Sequence, residues 1–389
     1  MNDWKLYSCR NYFKFYQEKL KMKNTKENKI IVATGGTGGH VFPAYSLAKN
    51  LLDKDYKVEV ITDNRGFKFL ERYKNLKLII NNSTTIYSKN KINIFFSFFV
   101  ILLSFFRSLI ILVKAKPFLV FGMGGYASFP VCMAARVLNI PFIIYENNLQ
   151  FGKSNKYLSR YAHKIFVAYE EVQGIDEIYN SKIIKTGNII REEILFQELP
   201  KKNISDELSI LILGGSQAAK SFGEFLPAIF SKCIKEGIKL NIFQQCVESQ
   251  NDDLKSFYEK SKIKFEVFNF TNDILKYFSK AQLVITRSGA SMTAELINSR
   301  MPFISIPFPF SADSHQEKNA VYLEKKGYSF LIKETEVNDK LFPLIKSIYK
   351  DKEILNNMIR KQASYSDKEV FSIIRSEIEK LLNGKNSAR

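Results

Sequence analysis

The stretch IIVATGGTGGHVFPAYSLAKNL, residues Ile30–Leu51, runs from an apolar segment through a glycine-rich turn into a helical pattern. Glycines allow backbone N–H groups to approach an anion, and the helix that follows presents its positive end to the same point. The stretch therefore predicts a βα unit with a phosphate-binding turn. This turn is not an ATP-binding loop, because His40 stands where the GxxxxGK[ST] motif needs its second glycine.

Similar units recur along the chain. Short apolar segments alternate with helical ones, which indicates parallel sheets in an α/β fold. The segment LSILILGGSQAA, Leu208–Ala219, repeats the order of strand, glycine pair, small polar residue and helix. We therefore expect two Rossmann-like domains whose parallel sheets face one another across a cleft. The predicted strands are Ile30–Thr34, Val58–Thr62, Phe118–Phe121, Phe142–Glu146, Lys164–Val167, Leu208–Leu213, Leu240–Gln245, Ile263–Val267, Leu283–Thr286 and Phe303–Ile306.

The composition allows a large core and indicates anionic partners. With 389 residues, 46% of them hydrophobic, the chain is long enough for two or three domains. Its net charge of +19 suits nucleic acid, anionic lipid or phosphorylated substrates, although compositional drift alone could produce the same excess. Nucleic acid is disfavoured, because the aromatic residues concentrate in apolar runs. The four cysteines form no CxxC pair, which argues against a disulfide framework or zinc site.

Two segments stand apart from the alternating pattern. Residues 1–28 are basic and aromatic and lack the apolar region of a secretory signal, so we expect a disordered extension. Ile92–Val113 is long enough to span a bilayer and carries one charge, Arg107. Its polar residues form a stripe on one side of a helix, which favours a peripheral or core helix over a span. The stripe consists of Asn93, Ser97, Ser104 and Ser108.

Three glycine-rich turns follow predicted strands: Gly35–His40, Gly122–Tyr126 and Gly214–Ala219. The first does not match the dinucleotide fingerprint GxGxxG, because Val41 takes the place of its last glycine. Any one of these turns could be a plain tight connection. Three of them in one chain predict a ligand rich in phosphate.

His40 is the candidate catalytic base among three histidines. It closes a glycine turn at a helix start, where an imidazole could take a proton from an attacking hydroxyl near neutral pH. His315 is read as a helix-start or ligand-orienting residue and His163 as structural. Glu295, on a helix that follows a small-residue turn, could accept hydrogen bonds from ribose hydroxyls or could be a solvated helix residue.

The motifs GGTGGHVFPA, GMGGYAS, YENN with GKSNK, GGSQ and SGASMTAE with PFPFSADSHQEKNA follow one another in this order. From about Lys29 to the C terminus, this combination resembles the MurG family of glycosyltransferases. The resemblance implies a GT-B fold and an inverting N-acetylglucosaminyltransferase. Its donor would be UDP-GlcNAc, and its acceptor the 4-hydroxyl of the muramoyl sugar of undecaprenyl-diphospho-MurNAc-pentapeptide (lipid I). The product would be lipid II, a peptidoglycan precursor.

The resemblance also implies a division of the chain. Residues 29–190 would form the acceptor and membrane-side domain, residues 191–366 the UDP-GlcNAc domain, and residues 367–389 a helix that crosses back. Donor contacts are implied for Thr37, Gly38, Gly39, Asn148, Arg191, Ser216, Thr271, Ala290, Ser291, Met292, Thr293, Ala294, Glu295 and Gln316. Contacts to the acceptor diphosphate are implied for Gly36, Gly124, Gly125 and Tyr126.

The family pattern leaves the base open and is not matched everywhere. Glu146 is the alternative to His40 as the base. Tyr145 and Asn147 depart from the family's usual HEQN motif, and Ala218 replaces a glycine in the third turn.

We expect no metal cofactor. The one literal match to the metal-binding Asp-x-Asp pattern is Asp53–Asp55. It falls in a helix-to-strand turn that we expect to lie at the surface. Helix N-termini and Arg191 would stabilise the leaving diphosphate instead.

A bilayer span at Ile92–Val113 would separate GGTGGH from every later motif, so the cleft could not form. We therefore expect this helix to lie on an anionic membrane surface at the cytoplasmic face of the inner membrane, aided by Arg107, Lys114 and Lys116. Cell-wall synthesis machinery is a further candidate partner. The alternative hypotheses for the function are another GT-B glycosyltransferase that makes a glycolipid, an integral membrane protein, and a non-catalytic lipid-binding or scaffold protein.

Overall fold

The computed structural model describes residues 28–84, 91–196, 206–215, 219–271 and 273–387, so residues 1–27 of the expected extension lie outside it. The described strands are Lys29–Ala33 (β1), Lys57–Thr62 (β2), Lys77–Ile80 (β3), Leu119–Gly122 (β4), Phe142–Glu146 (β5), Lys164–Val167 (β6), Ile183–Lys185 (β7), Leu208–Leu213 (β8), Leu240–Gln245 (β9), Lys264–Phe268 (β10), Leu283–Thr286 (β11), Phe303–Ser305 (β12) and Phe330–Leu331 (β13).

These strands form two sheets in which every neighbouring pair is parallel. The first has the order β3-β2-β1-β4-β5-β6-β7 and the second β10-β9-β8-β11-β12-β13. In the first sheet Val32 lies between Val60 and Phe121 on the adjacent strands. The central strands are buried along almost their whole length, as expected for parallel sheets with helices on both faces. The predicted pair of Rossmann-like sheets is confirmed.

The helices occupy the crossovers and the C-terminal region. They are Gly38–Leu52 (α1), Asn64–Leu70 (α2), Lys91–Ala115 (α3), Gly125–Val137 (α4), Lys153–Leu158 (α5), Glu192–Phe196 (α6), Lys220–Lys235 (α7), Asn251–Lys260 (α8), Ile274–Lys280 (α9), Ala290–Asn298 (α10), His315–Lys325 (α11), Val337–Lys350 (α12), Glu353–Gln362 (α13) and Val370–Ser387 (α14).

The last helix lies against the N-terminal half of the molecule. Ile374 and Ile378 of α14 share one hydrophobic cluster with Leu47 of α1. On the same face, Arg375 Nη1 donates a hydrogen bond of 2.8 Å to Asn50 Oδ1. The chain thus returns to its first domain after completing the second sheet.

Helix α3 exposes its apolar side and turns Ser104 and Ser108 of its polar stripe toward the protein. Ser104 and Ser108 are buried, and Asn81 Nδ2 donates to Ser108 Oγ at 2.8 Å and to the Ser104 carbonyl at 3.1 Å. Within the described chain, α3 contains the one stretch long and apolar enough to cross a membrane, Phe95–Ala115, of which 22% is buried. The outward side chains include Phe95, Phe96, Phe98, Phe99, Leu103, Phe106, Ile110 and Val113.

The topology argues against a transmembrane α3. The helix connects β3 to β4, and both strands belong to one parallel sheet. A parallel crossover returns the chain to the same end of the sheet, so the helix must run alongside that sheet. A bilayer span would place β3 and β4 on opposite sides of the membrane.

Candidate active site

A cleft of about 760 Å³ lies between the carboxyl ends of the two sheets. Loops that follow β1, β4 and β5 form one wall, and loops that follow β8, β10, β11 and β12 form much of the other. Ligands of open α/β sheets bind at such carboxyl ends. The predicted site residues that line the cleft are Thr37, Gly38, Gly39, His40, Gly125, Tyr126, Glu146, Asn148, Arg191, Thr271, Ala290, Ser291, Met292, Glu295 and Gln316.

Four predicted contact residues support the walls without lining them. The Gly36 amide, predicted to bind the acceptor diphosphate, donates to Asp63 Oδ1 at 3.0 Å and is therefore already used. Thr293 and Ala294 lie on the buried face of α10, where the Thr293 hydroxyl donates to the Gly289 carbonyl. Gly124 lies behind the His40 ring.

The predictions for Ser216 and Ala218 in the third glycine turn fall outside the described residues.

The first two glycine-rich turns meet at the His40 ring. A Cβ atom on Gly124 would lie 3.2 Å from His40 Cε1, and a Cβ on Gly125 would lie 3.3 Å from Cδ2. Both glycines also have positive φ, 84° and 73°, which disfavours any side chain there. Burial lowers the pKa of His40, an effect that the negative charge of Glu146 partly offsets. The imidazole is thus held neutral and fixed at the cleft wall.

Glu146, the alternative base, organises the loop after β5. Its Oε1 accepts hydrogen bonds from the backbone N–H of Asn148 at 3.1 Å and from Asn148 Nδ2 at 3.0 Å. Its Oε2 accepts from the Gly152 N–H at 2.9 Å and from Asn155 Nδ2 at 3.0 Å. An ionised carboxylate has about four acceptor positions. Four N–H donors therefore fill the acceptor positions of the Glu146 carboxylate.

Arg191 and Glu295 form a two-pronged ion pair at the cleft wall. Arg191 Nε donates to Glu295 Oε1 at 2.9 Å, and Nη2 donates to Oε2 at 2.6 Å. The pair is largely withdrawn from water, with 26% of the Arg191 side chain and 7% of the Glu295 side chain exposed. Such a fork fixes the plane of the carboxylate. Each carboxylate oxygen retains a lone pair for a further donor, such as a ribose hydroxyl.

The two walls touch at the first glycine turn. The Gly39 carbonyl accepts hydrogen bonds from Ser291 Oγ at 2.9 Å and from Asn147 Nδ2 at 2.8 Å. Ser291 belongs to the first turn of α10 in the second domain, whereas Gly39 and Asn147 belong to the first domain. Asn147, a departure from the family motif, also donates to Ser291 Oγ at 3.4 Å and so supports the contact between domains.

Arg287 is a buried cation of the cleft wall that the sequence reasoning missed. Its Nη1 donates to the Ile306 and Pro307 carbonyls, each at 3.2 Å, and its Nη2 donates to Ser221 Oγ at 2.7 Å and pairs with Glu334. These contacts join the start of α7 to the segments that follow β11, β12 and β13. The available signal was a basic residue directly after a buried strand, next to a small-residue turn.

The structure also shows what surrounds Gln316, Thr271 and the Asp53–Asp55 pair. Gln316 Oε1 accepts a hydrogen bond of 3.0 Å from the Phe308 amide, and Thr271 Oγ1 accepts one of 3.1 Å from the Asp273 amide. Asp53 and Asp55 are exposed at the end of α1 and do not line the cleft. Among the residues that the structure covers, no group of three or more His, Cys, Asp or Glu side chains could hold a metal ion.

Two facing Rossmann-like sheets with a ligand cleft between them form a GT-B fold, and the family matches make the chain a glycosyltransferase of this fold. Residues 30–167 match the glycosyltransferase family 28 N-terminal domain, and residues 209–373 match the glycosyltransferase family 28 C-terminal domain. The crystal structure of Acinetobacter baumannii MurG aligns with a TM-score of 0.72 at 26% identity and covers 91% of this chain and 99% of that chain.

Sequence relatives identify the family within this class of glycosyltransferases. A protein of Pelagibacter ubique is 35% identical over 313 residues, which cover 80% of this chain and 86% of the relative. A Rickettsia felis protein is 34% identical over 331 residues, which cover 82% of this chain and 91% of the relative. Both are named UDP-N-acetylglucosamine–N-acetylmuramyl-(pentapeptide) pyrophosphoryl-undecaprenol N-acetylglucosamine transferase. The chain belongs to the MurG family.

Proposed function

We propose that this protein transfers N-acetylglucosamine from UDP-GlcNAc to lipid I and so forms lipid II. The observation that carries the proposal is the composition of the cleft. One wall presents two glycine-rich turns with His40, and the other presents the start of α10 with the Arg191–Glu295 pair. The first wall suits an acceptor with a diphosphate, and the second suits a nucleotide sugar. The family relationship supports this pair of substrates.

The donor lies along the second wall in this proposal. Backbone N–H groups at the start of α10, near Ala290 and Ser291, face its diphosphate, because the first amides of a helix lack intrahelical partners. Glu295 accepts from the ribose hydroxyls while Arg191 holds its carboxylate in place. Gln316 meets the hydroxyls of the sugar, and Thr271 lies at the uracil.

The acceptor approaches from the first wall. Its 4-hydroxyl oxygen attacks the anomeric carbon of the donor as the bond from that carbon to the diphosphate oxygen breaks, which inverts the configuration. His40 accepts the hydroxyl proton, and the electron pair of the broken bond leaves with UDP. The first amides of α4, at Gly125 and Tyr126, suit the acceptor diphosphate, since this helix begins at the cleft.

His40 is better suited than Glu146 to be the base. Burial favours its neutral form, which is the form that can take a proton. Glu146 instead accepts four hydrogen bonds from its own loop, and protonation would break at least one of them. We therefore assign Glu146 to positioning of the loop.

The membrane-facing element in this proposal is α3. Its outer side exposes several phenylalanines, among them Phe96 with 66% and Phe106 with 54% of the surface accessible. An apolar helix face of this kind enters the boundary between headgroups and acyl chains, and basic residues nearby favour anionic lipid. Arg107, Lys114 and Lys116 supply that charge. The helix would hold the cleft at the cytoplasmic face of the inner membrane, where a polyprenyl-linked acceptor resides.

An acceptor comparison tests the proposal against its rivals. Purified protein would receive UDP-GlcNAc with either a lipid I analogue or diacylglycerol in the same vesicles. Transfer to the lipid I analogue alone supports the proposal. Transfer to diacylglycerol would indicate a different glycolipid synthase, and donor binding without any transfer would indicate a non-catalytic protein.

A further inference from the structure

Asn319 lies at the contact between the two domains and is fully buried. It belongs to α11, which connects β12 to β13 of the second sheet. Its side chain reaches the loop after β5 of the first domain, at Asn148 and Leu149. It lies near the end of the motif PFPFSADSHQEKNA, but the family resemblance implies no contact for it.

The hydrogen bonds of Asn319 fix the orientation of its amide. Its Oδ1 accepts from the Leu149 backbone N–H at 3.0 Å, and its Nδ2 donates to the Ser288 backbone carbonyl at 3.3 Å. A backbone N–H can only donate and a backbone carbonyl can only accept, so the reverse orientation would lose both bonds. Ser288 belongs to the second domain, as Asn319 itself does, whereas Leu149 belongs to the first, so it is the bond to Leu149 that crosses between the domains. One side chain therefore ties the two domains together beside the cleft.

The same amide also orients Asn148. Asn319 Nδ2 donates to Asn148 Oδ1 at 3.2 Å. Asn148 Nδ2 is directed away and donates to Glu146 Oε1 at 3.0 Å and to Asn147 Oδ1 at 2.9 Å. Both N–H groups of Asn148 are thereby used. Among the hydrogen-bonding positions of the Asn148 side chain, one acceptor position on Oδ1 is left for a ligand in the cleft.

We propose that Asn319 is a positioning residue that couples contact between the domains to the orientation of Asn148. With the domains in contact, Asn148 presents an oxygen that accepts a hydrogen bond from a substrate hydroxyl. When the domains separate, the bonds from Asn319 to Leu149 and Asn148 break, and Asn148 loses its fixed orientation. The inference rests on the proposed transferase function, since it assumes a sugar ligand in this cleft.

Two substitutions separate the donor role of Asn319 from its acceptor role. At a pH where it is ionised, Asn319→Asp retains an oxygen for the Leu149 N–H but has no donor for Ser288 or Asn148, whereas Asn319→Ala removes both roles. We expect both variants to lower kcat by about 10- to 100-fold and to change the Kd for UDP by less than about threefold. Hydrogen exchange at the Leu149 amide should accelerate in Asn319→Ala and stay slow in Asn319→Asp.

Tyr322→Phe is the matched control. Tyr322 lies one turn further along α11, and its hydroxyl also crosses to the first domain, where it donates to Glu171 at 3.0 Å. Its loss should leave kcat within about twofold, because an exposed bond of this kind contributes little. The double variant Asn148→Ala/Asn319→Ala should lose no more activity than the more impaired single variant.

The outcomes distinguish the inference from the proposed function. An Asn319→Asp variant with the kcat of the wild type would overturn the positioning role, and so would additive losses in the double variant. If Asn319→Ala does not fold, the near-isosteric Asp variant still decides the donor role. A wild type that binds UDP but transfers no sugar would refute the proposed function. In that case, slow exchange at Leu149 in Asn319→Ala would separately refute the tether between the domains.

Discussion

The imidazole of His40 lies against the main chain of Gly124, so closely that a Cβ on Gly124 would come within 3.2 Å of Cε1. The two residues belong to different glycine-rich turns, and their contact sets the position of the candidate base. Gly124 is thus required both by its φ of 84° and by the ring that it faces.

Gly124→Ala should therefore displace His40 and lower kcat by about tenfold or more, because small misplacements of a catalytic group are costly. Gly237→Ala is the control, since Gly237 has a similar φ of 75° but nothing within 4 Å of its Cβ position. Both variants should unfold more easily by roughly 1–2 kcal/mol, and only the first should lose turnover. Equal effects on kcat would contradict the role of this contact. Steady-state kinetics and denaturant unfolding supply both quantities.

The lowered pKa of His40 predicts the acid limb of the pH profile. A base must be neutral, and burial moves the pKa of His40 below its ordinary value of 6.5. At pH 6.5 the wild type should therefore retain more than about half of its plateau kcat/KM, and kcat/KM should fall at lower pH. The free energy of unfolding should also fall in acid, because the unfolded chain binds this proton more readily.

His40→Gln should abolish most turnover together with this limb, whereas His163→Gln should leave the pH profile of the wild type. A midpoint of the acid limb of kcat/KM at or above pH 6.5 would speak against the His40 imidazole as the base. The measurement is kcat/KM across about pH 5 to 8 for the three proteins.

Glu146→Gln distinguishes the two candidate bases. An amide NH2 in place of one oxygen would face N–H donors of the loop, which should lower the free energy of unfolding by about 1–3 kcal/mol and reduce kcat. The acid limb should persist and move to lower pH, because the charge of Glu146 raises the pKa of His40. A stable variant without an acid limb would instead identify Glu146 as the base.

The exposed side of α3 should determine binding to lipid. Phe106→Glu places a charge on that side and should weaken co-sedimentation with vesicles of anionic phospholipid by about tenfold or more. The melting temperature should hardly change, since 54% of Phe106 is exposed. Phe196→Glu is the control, because Phe196 is equally open, at 62%, but lies outside α3. Equal losses in both variants would remove the assignment of this surface.

Turnover should persist in the presence of EDTA. Helix N-termini and Arg191 would stabilise the negative charge of the leaving diphosphate, so no divalent ion is required. Wild-type kcat should be the same with EDTA and with added magnesium. Full loss in EDTA with recovery in magnesium would require a metal in the reaction.

The interior strands could be predicted from the sequence, whereas three of the four edge strands could not; the fourth, Lys264–Phe268, was predicted one residue early. Phe142–Glu146 and Leu208–Leu213 have the predicted bounds, because a strand buried on both faces is a continuous apolar run. The missed strands Lys77–Ile80, Ile183–Lys185 and Phe330–Leu331 each form an edge of a sheet. An edge strand is only partly buried and short, so its pattern is weak.

The same distinction holds for the site. Features of a local turn could be predicted from the sequence, whereas contacts between residues far apart in the chain could not. Glycine turns after strands correctly placed Gly38 and Gly125 at the cleft, since these turns are local. The use of the Gly36 amide by Asp63, 27 residues away, has no local signal. The bond between Asn319 and Leu149 joins residues 170 positions apart and exists only through the contact between domains.

The most direct test of the account follows radiolabel from UDP-GlcNAc into the lipid fraction with a lipid I analogue as acceptor. The wild type should transfer label into a product of the size of lipid II. Glu295→Ala should transfer less because of weakened donor binding, and His40→Ala should bind UDP normally yet transfer little. A wild type that binds UDP but leaves the lipid unlabelled, or a His40→Ala variant with undiminished kcat, would contradict transfer by this cleft.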